Sequence, residues 1–201
     1  MSATAPDEGS APRIPPLPPE EWGDDVRAGL AALRPAGATQ ELRRSKGGPK
    51  GLNVLGTLAQ HPELMQAYHT FNGHILYTNT LDARQRELLV LRVAARRGAE
   101  YEWRQHVYIA RDLGFTDADI ERIAEGPHAD GWSPLDAAML RAVDELVADA
   151  QIADETWAVL ADELDRHQLM DLVFTVGAYD LLAMAFKSFG VEVDADLADL
   201  T

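Results

Sequence analysis

Residues 100–111, EYEWRQHVYIAR, hold a carboxyl and an imidazole one helical turn apart. Residues four apart on a helix share a face, so Glu102 and His106 can interact directly. Val107, Ile109, Ala110 and Leu113 give the same helix a broad apolar surface. Beside such a surface both groups lose solvation, which raises a carboxyl pKa and lowers a histidine pKa. The two then approach neutrality, where general acid–base catalysis is most effective. The spacing by itself suits an ordinary structural or surface pair at least as well.

Glu87 adds a second carboxylate. It lies near the start of the preceding helix, RQRELLVLRVA, and Gly98 leaves only a short turn between the two helices. Antiparallel packing through that turn brings Glu87 to His106, where it would fix the ring's orientation and tautomer. A glutamate at a helix start is also what the helix dipole favours. Glu87, Glu102 and His106 could together supply a carboxylate-rich metal site. There is no His-Glu-x-x-His, however, and no second histidine at helical spacing to Glu102, so no metal is expected.

Around this trio, Tyr101 and Trp103 are candidate pocket walls, with ordinary core packing as the other reading. FNGH places Asn72 and His74 near a helix end that could line a pocket, whereas His69 and His74, five apart, do not share a face well enough for a joint metal site. His61 suits a helix N-terminus, and His128 and His167 suit solvent. Tyr179 and Asp180, inside an apolar run, suit interface packing.

The elements that must position these groups read as helices. Pro62 opens one, with Leu64, Met65, Tyr68, Phe71 and Ile75 assigned to one face. Asp82 with Gln85 forms a capping box, and Gly98 ends that helix. The next spans about 100–113 and stops at Gly114. Thr116 with Asp119, and Ser133 with Asp136 behind Pro134, begin two more; Asp154 is read as the cap of another. The last runs from 166 to 189 and stops at Gly190. No segment alternates long enough to demand a strand, so the fold class is all-α. Residues 1–19 are a flexible Pro-rich tail; 20–51 are a short helix (20–33) and a Gly- and Pro-broken connector holding Arg43, Arg44, Lys46 and Lys50; 194–201 are an acidic tail. That connector is either a solvated linker or a basic loop that closes over an anion.

The 201 residues suit one domain, and 46% apolar content is ordinary for a globular chain. A formal charge of −15 opposes binding to nucleic acid or anionic membrane. Residues 112–165 carry fifteen acids against two bases and read as a solvated surface, while 84–111 carry seven arginines against three acids and read as nearer the site. The absence of cysteine excludes disulfides, thiolate metal sites and thiol peroxidase chemistry. The N-terminus lacks a secretory pattern, giving a cytoplasmic expectation. Asp171 and Asp180 interrupt the longest apolar run, LMDLVFTVGAYDLLAMAF, which reads as a buried helix and not a membrane span.

RQRELLVLRVAARRGAEYEWRQHVYIARDLGFTDADIERI resembles the carboxymuconolactone decarboxylase and alkyl hydroperoxidase D-like superfamily. LNVLGTLAQHPELM before it, and WSPLDAAMLRAVDELV and LVFTVGAYDLLAMAFKSFGV after it, extend the likeness over residues 52–193. The resemblance implies a bundle of about seven to eight helices, assembled as a homotrimer or homohexamer, with a site between helices and often near a subunit interface. The peroxidase branch has a Cys-x-x-Cys pair where this chain has Ala99 and Glu102, while Glu87 and His106 match its proton-relay pair. What remains looks like the decarboxylase-type branch, a lyase that needs no cofactor. It implies a small anionic or lactone substrate whose carboxylate is held by Arg43, Arg44 or Arg96. His106, oriented by Glu87, then protonates the enolate left by carbon dioxide, with Glu102 as second proton-transfer group. Two alternatives stay open. One is isomerisation, dehydration or ring opening of a larger specialised-metabolism substrate, with the connector at 41–51 as a lid. The other is a non-catalytic helical oligomer in which the trio is a buried polar network. A solvent-filled pocket touching His106 would separate catalysis from tight structural packing.

Overall fold

The structure, a computed structural model, describes residues 11–35 and 50–198; Arg43, Arg44 and Lys46 lie outside them. The described residues form ten α-helices and no strand. They are α1 (Asp24–Ala31), α2 (Leu52–Leu58), α3 (Pro62–Tyr77), α4 (Ala83–Arg97), α5 (Glu100–Asp112), α6 (Asp117–Glu125), α7 (Pro134–Asp149), α8 (Asp154–Glu163), α9 (Arg166–Phe189) and α10 (Ala195–Ala198).

The axis of the bundle is α4. Every residue from 86 to 94 is buried, so this helix is enclosed on all sides by α5, α6, α7 and α9. Leu88, Leu89, Val90, Leu91 and Val93 form the centre of the core. Three charged residues are buried with them, Arg86, Glu87 and Arg92, and buried charge must be paired. Arg92 is paired completely. It grips both Asp144 oxygens at 2.8 and 2.7 Å and donates to the Ile123 and Ala124 carbonyls.

The capping signals hold. Asp82–Gln85, Thr116–Asp119 and Asp165–Gln168 are reciprocal capping boxes, and Ser133 caps α7. Gly98 and Gly190 end their helices in the left-handed conformation that favours glycine. Asp154, by contrast, is the first residue of α8 and not its cap, because Glu145 of α7 takes over. Its carboxylate accepts from the Ala153 N–H at 2.9 Å and the Thr156 hydroxyl at 2.8 Å.

Four other expectations change. The span 20–33 is a 3-10 turn, Pro19–Glu21, followed by the shorter α1. Gly51, the end of the span read as connector, begins α2 from the left-handed region, and residues 52–58 are helical. On α3, Met65 and Ile75 are fully buried, but Leu64 and Phe71 are exposed; Phe71 instead meets Phe174 of α9, ring centroids 6.2 Å apart. The Pro-rich segment is pinned where it is described: the Arg13 N–H donates to the Phe189 carbonyl at 2.8 Å and the Leu17 N–H to that of Gly56 at 3.0 Å.

α9 is long and apolar enough to cross a membrane by length and composition, yet half of its apolar window is buried within the protein. That is the pattern of a core helix. The seven arginines of 84–111 do not converge on an anion site, for each faces an acid. Arg84 binds Asp136, Arg96 shares Asp144, Arg97 binds Asp180, Arg104 binds Glu100 and Arg111 binds Asp117. Several of these acids come from the block read as purely solvated surface.

Candidate active site

Gly98, at φ 55°, turns the chain so that α5 runs back along α4. The start of α4 thereby reaches the later part of α5. His106 Nδ1 lies 2.6 Å from Glu87 Oε2, and the two residues are 7% and 1% exposed. Facing a carboxylate, Nδ1 carries the proton and Nε2 keeps its lone pair. Arg86 Nε lies 3.5 Å from the other Glu87 oxygen, so the buried carboxylate has a cation beside it. Tyr179 of α9 stands edge-on to the imidazole, centroids 5.0 Å apart at 87°, and fixes the ring plane. Burial, reinforced by the Glu87 charge, keeps the Tyr179 hydroxyl well above the usual phenol range.

One turn earlier, Glu102 is 3% exposed and neither of its oxygens has a hydrogen-bond partner. Burial pushes its pKa up to about 8, with the Asp180 charge adding to the effect. Glu102 is therefore chiefly a neutral acid at pH 7. The Tyr68 hydroxyl on α3 is buried and unpartnered too, and burial, with Glu102 nearby, raises its pKa.

These groups border a cavity of about 710 Å³ between α1, α2, α3, α5, α9 and the start of α4. Glu102, His106 and Tyr101 line it, while Glu87 stands behind His106. Tyr101 is also tied down by its hydroxyl, which donates to buried Asp194 at 2.6 Å. The other proposed substrate contacts sit elsewhere. Trp103 packs against Ala94, Ala99 and Ala183, because it lies on the α5 face turned from the cavity. His74 is a tie between elements: Nε2–H donates to Asp171 of α9 at 2.7 Å and Nδ1 accepts from Thr78 at 2.9 Å. Burial would raise the Asp171 pKa, but the Thr80 and His74 hydrogen bonds outweigh it and hold the carboxyl below its usual range. Arg96 is on the outer side of α4, 3.3 Å from Asp144.

Asn72, placed by sequence near a helix end that could line a pocket, does line the cavity, whereas sequence reasoning missed Arg86, Tyr68, His69, Gln105 and Tyr179 as site residues; all of these line it too. For some the signal was present. Arg86 beside Glu87 is a charged pair opening an apolar run, and Tyr179 is a polar aromatic inside the longest one. His69 gave none. Its Nδ1–H donates to the Gly29 carbonyl at 2.9 Å, which leaves Nε2 as an acceptor, and burial lowers its pKa. Among the described residues, no three His, Asp or Glu side chains converge as a metal site requires.

The model of the carboxymuconolactone decarboxylase family matches residues 62–145, from the first turn of α3 into α7. Over that segment the chain is similar to the carboxymuconolactone decarboxylase family. The segment supplies Tyr68, Glu87, Glu102 and His106, whereas Tyr179 and the α1 and α2 walls of the cavity come from outside it. No curated protein matches the chain by sequence. Two solved structures share the fold of the segment and its surroundings. The debrominase Bmp8 in its apo form has a TM-score of 0.70 at 13% identity, covering 92% of this chain and 94% of its own. A protein of unknown function from Agrobacterium tumefaciens, described as a putative antioxidant defence protein AhpD, has a TM-score of 0.64 at 17% identity, covering 69% of this chain and 95% of its own. Identities this low speak for the fold alone.

Proposed function

We propose that this chain is a cofactor-independent acid–base enzyme that moves protons on a carbonyl or lactone substrate. The observation that carries the proposal is Glu102: a buried carboxyl with no partner on either oxygen, beside a cavity it shares with a histidine already oriented by a second carboxylate. An unpartnered buried acid is costly to the fold. A purely structural network would have satisfied it.

In this mechanism Nε2 of His106 removes the proton next to the carbonyl. Glu87 stabilises the imidazolium that forms, and Tyr179 keeps the ring in plane. Neutral Glu102 delivers a proton to the resulting enolate, with the Tyr68 hydroxyl donating to its oxygen. One proton leaves and another arrives, which is the requirement of isomerisation, ring opening or dehydration alike. The decarboxylating, lyase version has the same ending. Carbon dioxide departs, its bonding electrons pass to the lactone carbonyl, and the enolate is protonated. That version needs a cation for the substrate carboxylate, and Arg86 is the arginine at the cavity. Thiol chemistry is closed to a chain without cysteine.

Deuterium incorporation next to the carbonyl of cyclic ketones and lactones, followed by NMR in heavy water after chelator treatment, tests the proposal. Carbon dioxide release from carboxylated lactones is measured in parallel. Exchange should be catalysed by the wild type, persist in chelator, and decline as Glu102 ionises above about pH 8. Wild type no faster than buffer on every compound would refute it.

We further propose a homo-oligomer, trimer or hexamer, built on the outer face of α9. Met170, Phe174, Leu181 and Met184 are all exposed at helical spacing, and Phe71 extends the patch. At its middle, a Cβ placed on Gly177 would meet nothing within 4 Å.

A further inference from the structure

The polar atoms of the cavity are not scattered. Tyr68 and Asn72 sit one turn apart on α3, and Glu102, Gln105 and His106 share one face of α5. The Tyr68 hydroxyl, Asn72 Oδ1, both Glu102 oxygens and Gln105 Oε1 are buried without hydrogen-bond partners. Native proteins leave only a few such atoms unsatisfied per hundred residues, so five around one cavity mark groups waiting for a ligand. As placed, the two amide oxygens accept, while Tyr68 and neutral Glu102 donate. Much of the remaining wall is aliphatic, including Leu30 of α1, Leu33 just after it, and Leu55 and Leu58 of α2.

Size and charge narrow the ligand further. About 710 Å³ would hold roughly two dozen waters at ~30 Å³ each. A small lactone acid would leave much of that apolar space wet. Among the described residues, a carboxylate would have little free positive charge to meet: Arg86 faces Glu87, and Lys50, though it lines the cavity, is itself exposed to solvent. It would also stand beside Glu102, the acid that must stay protonated.

Resting on the acid–base reading of this site, we infer that the substrate is a neutral, fused-ring hydroxyketone. Its carbonyl would meet Glu102 and Tyr68, its hydroxyls Asn72 and Gln105, and its ring carbons the leucine wall.

The test is calorimetric binding of three probes to the full chain: 6,7-dihydroxy-1-tetralone, 1-tetralone and adipate. Two neutral hydrogen bonds are together worth roughly tenfold in affinity. The dihydroxytetralone should therefore bind about tenfold more tightly than tetralone, and adipate more weakly than either. In the double variant Asn72→Leu, Gln105→Leu the preference between the two tetralones should vanish while tetralone binding remains. Adipate binding as well as the tetralones would overturn the inference, as would a wild type indifferent to the hydroxyls. These wild-type comparisons stand even if the double variant misfolds. Binding in the expected order without deuterium exchange at the tetralone carbon next to the carbonyl would sink the acid–base reading and leave the ligand class standing.

Discussion

At the scale of single residues, Glu102 ties stability to pH. Burial pushes its carboxyl up to about 8 in the fold, well above the ordinary glutamate value of about 4.3. Between those values the unfolded chain has lost the proton and the native one retains it, so stability falls as pH rises through the window. At ~1.4 kcal/mol per unit the loss is on the order of 4 kcal/mol. Glu102→Gln keeps the shape and removes the titration. Urea unfolding at pH 5 and pH 8 should show a clearly smaller difference for this variant than for wild type; equal differences would mean that Glu102 titrates normally. Two substitutions separate chemistry from positioning. His106→Ala should lower turnover by about 10²–10⁴-fold, the usual contribution of a general base, and should also lower the melting temperature, because it strips the buried Glu87 carboxylate of its partner. Glu87→Gln should lower kcat and shift its pH profile with little effect on KM, because Glu87 acts through the imidazole and does not reach the cavity. A KM effect as large as the kcat effect would place Glu87 in substrate binding instead.

At the scale of elements, the glycines show how α1 is seated. A Cβ on Gly73 would come within 2.6 Å of the Leu33 carbonyl oxygen and 3.2 Å of Pro35 Cδ. Alanine inside a helix normally stabilises by about 1 kcal/mol relative to glycine. Here the backbone clash should reverse the sign, for a loss of about 1–3 kcal/mol. Hydrogen exchange in Gly73→Ala should rise selectively at the end of α1, with a lower melting temperature. A rise in stability would show that α1 can shift freely. Much of this architecture was legible in sequence because caps are local. Asp82 and Gln85, or Thr116 and Asp119, are neighbours whose side chains satisfy the first turn without outside help. The Glu87–His106 contact was legible too, since one glycine turn forces α4 and α5 together. Whatever depended on distant packing was not. Phe71 looked like core until α9 drew it outward to Phe174, and Asp154 lost its capping role to Glu145 on another helix. His74 fitted a pocket wall until Asp171, 97 residues away, claimed it. The cavity itself arises among six helices, and no local pattern announces an empty space.

At the scale of the whole molecule, the exposed α9 face is the surface on which the proposed oligomer would form. From Met170 to Met184 it runs about 21 Å at 1.5 Å per residue, long enough for a helix on another copy. Met170→Asp with Phe174→Asp should convert the oligomer to a monomer by light scattering, with α9 still folded by circular dichroism; a monomeric wild type would refute the assembly. The cavity has a different origin from this face. The groups proposed to transfer protons lie within residues 62–145, the span that the family model matches, while Leu30, Leu33, Leu55 and Leu58 stand before it and Leu182 and Phe186 after it. Chemistry and shape are thus written in separate stretches of the chain. The reactive helices can be kept fixed while Leu30 and Leu33 are enlarged, trimmed or exchanged. Selection, or a designer, can therefore retune what this protein accepts without renegotiating how it reacts.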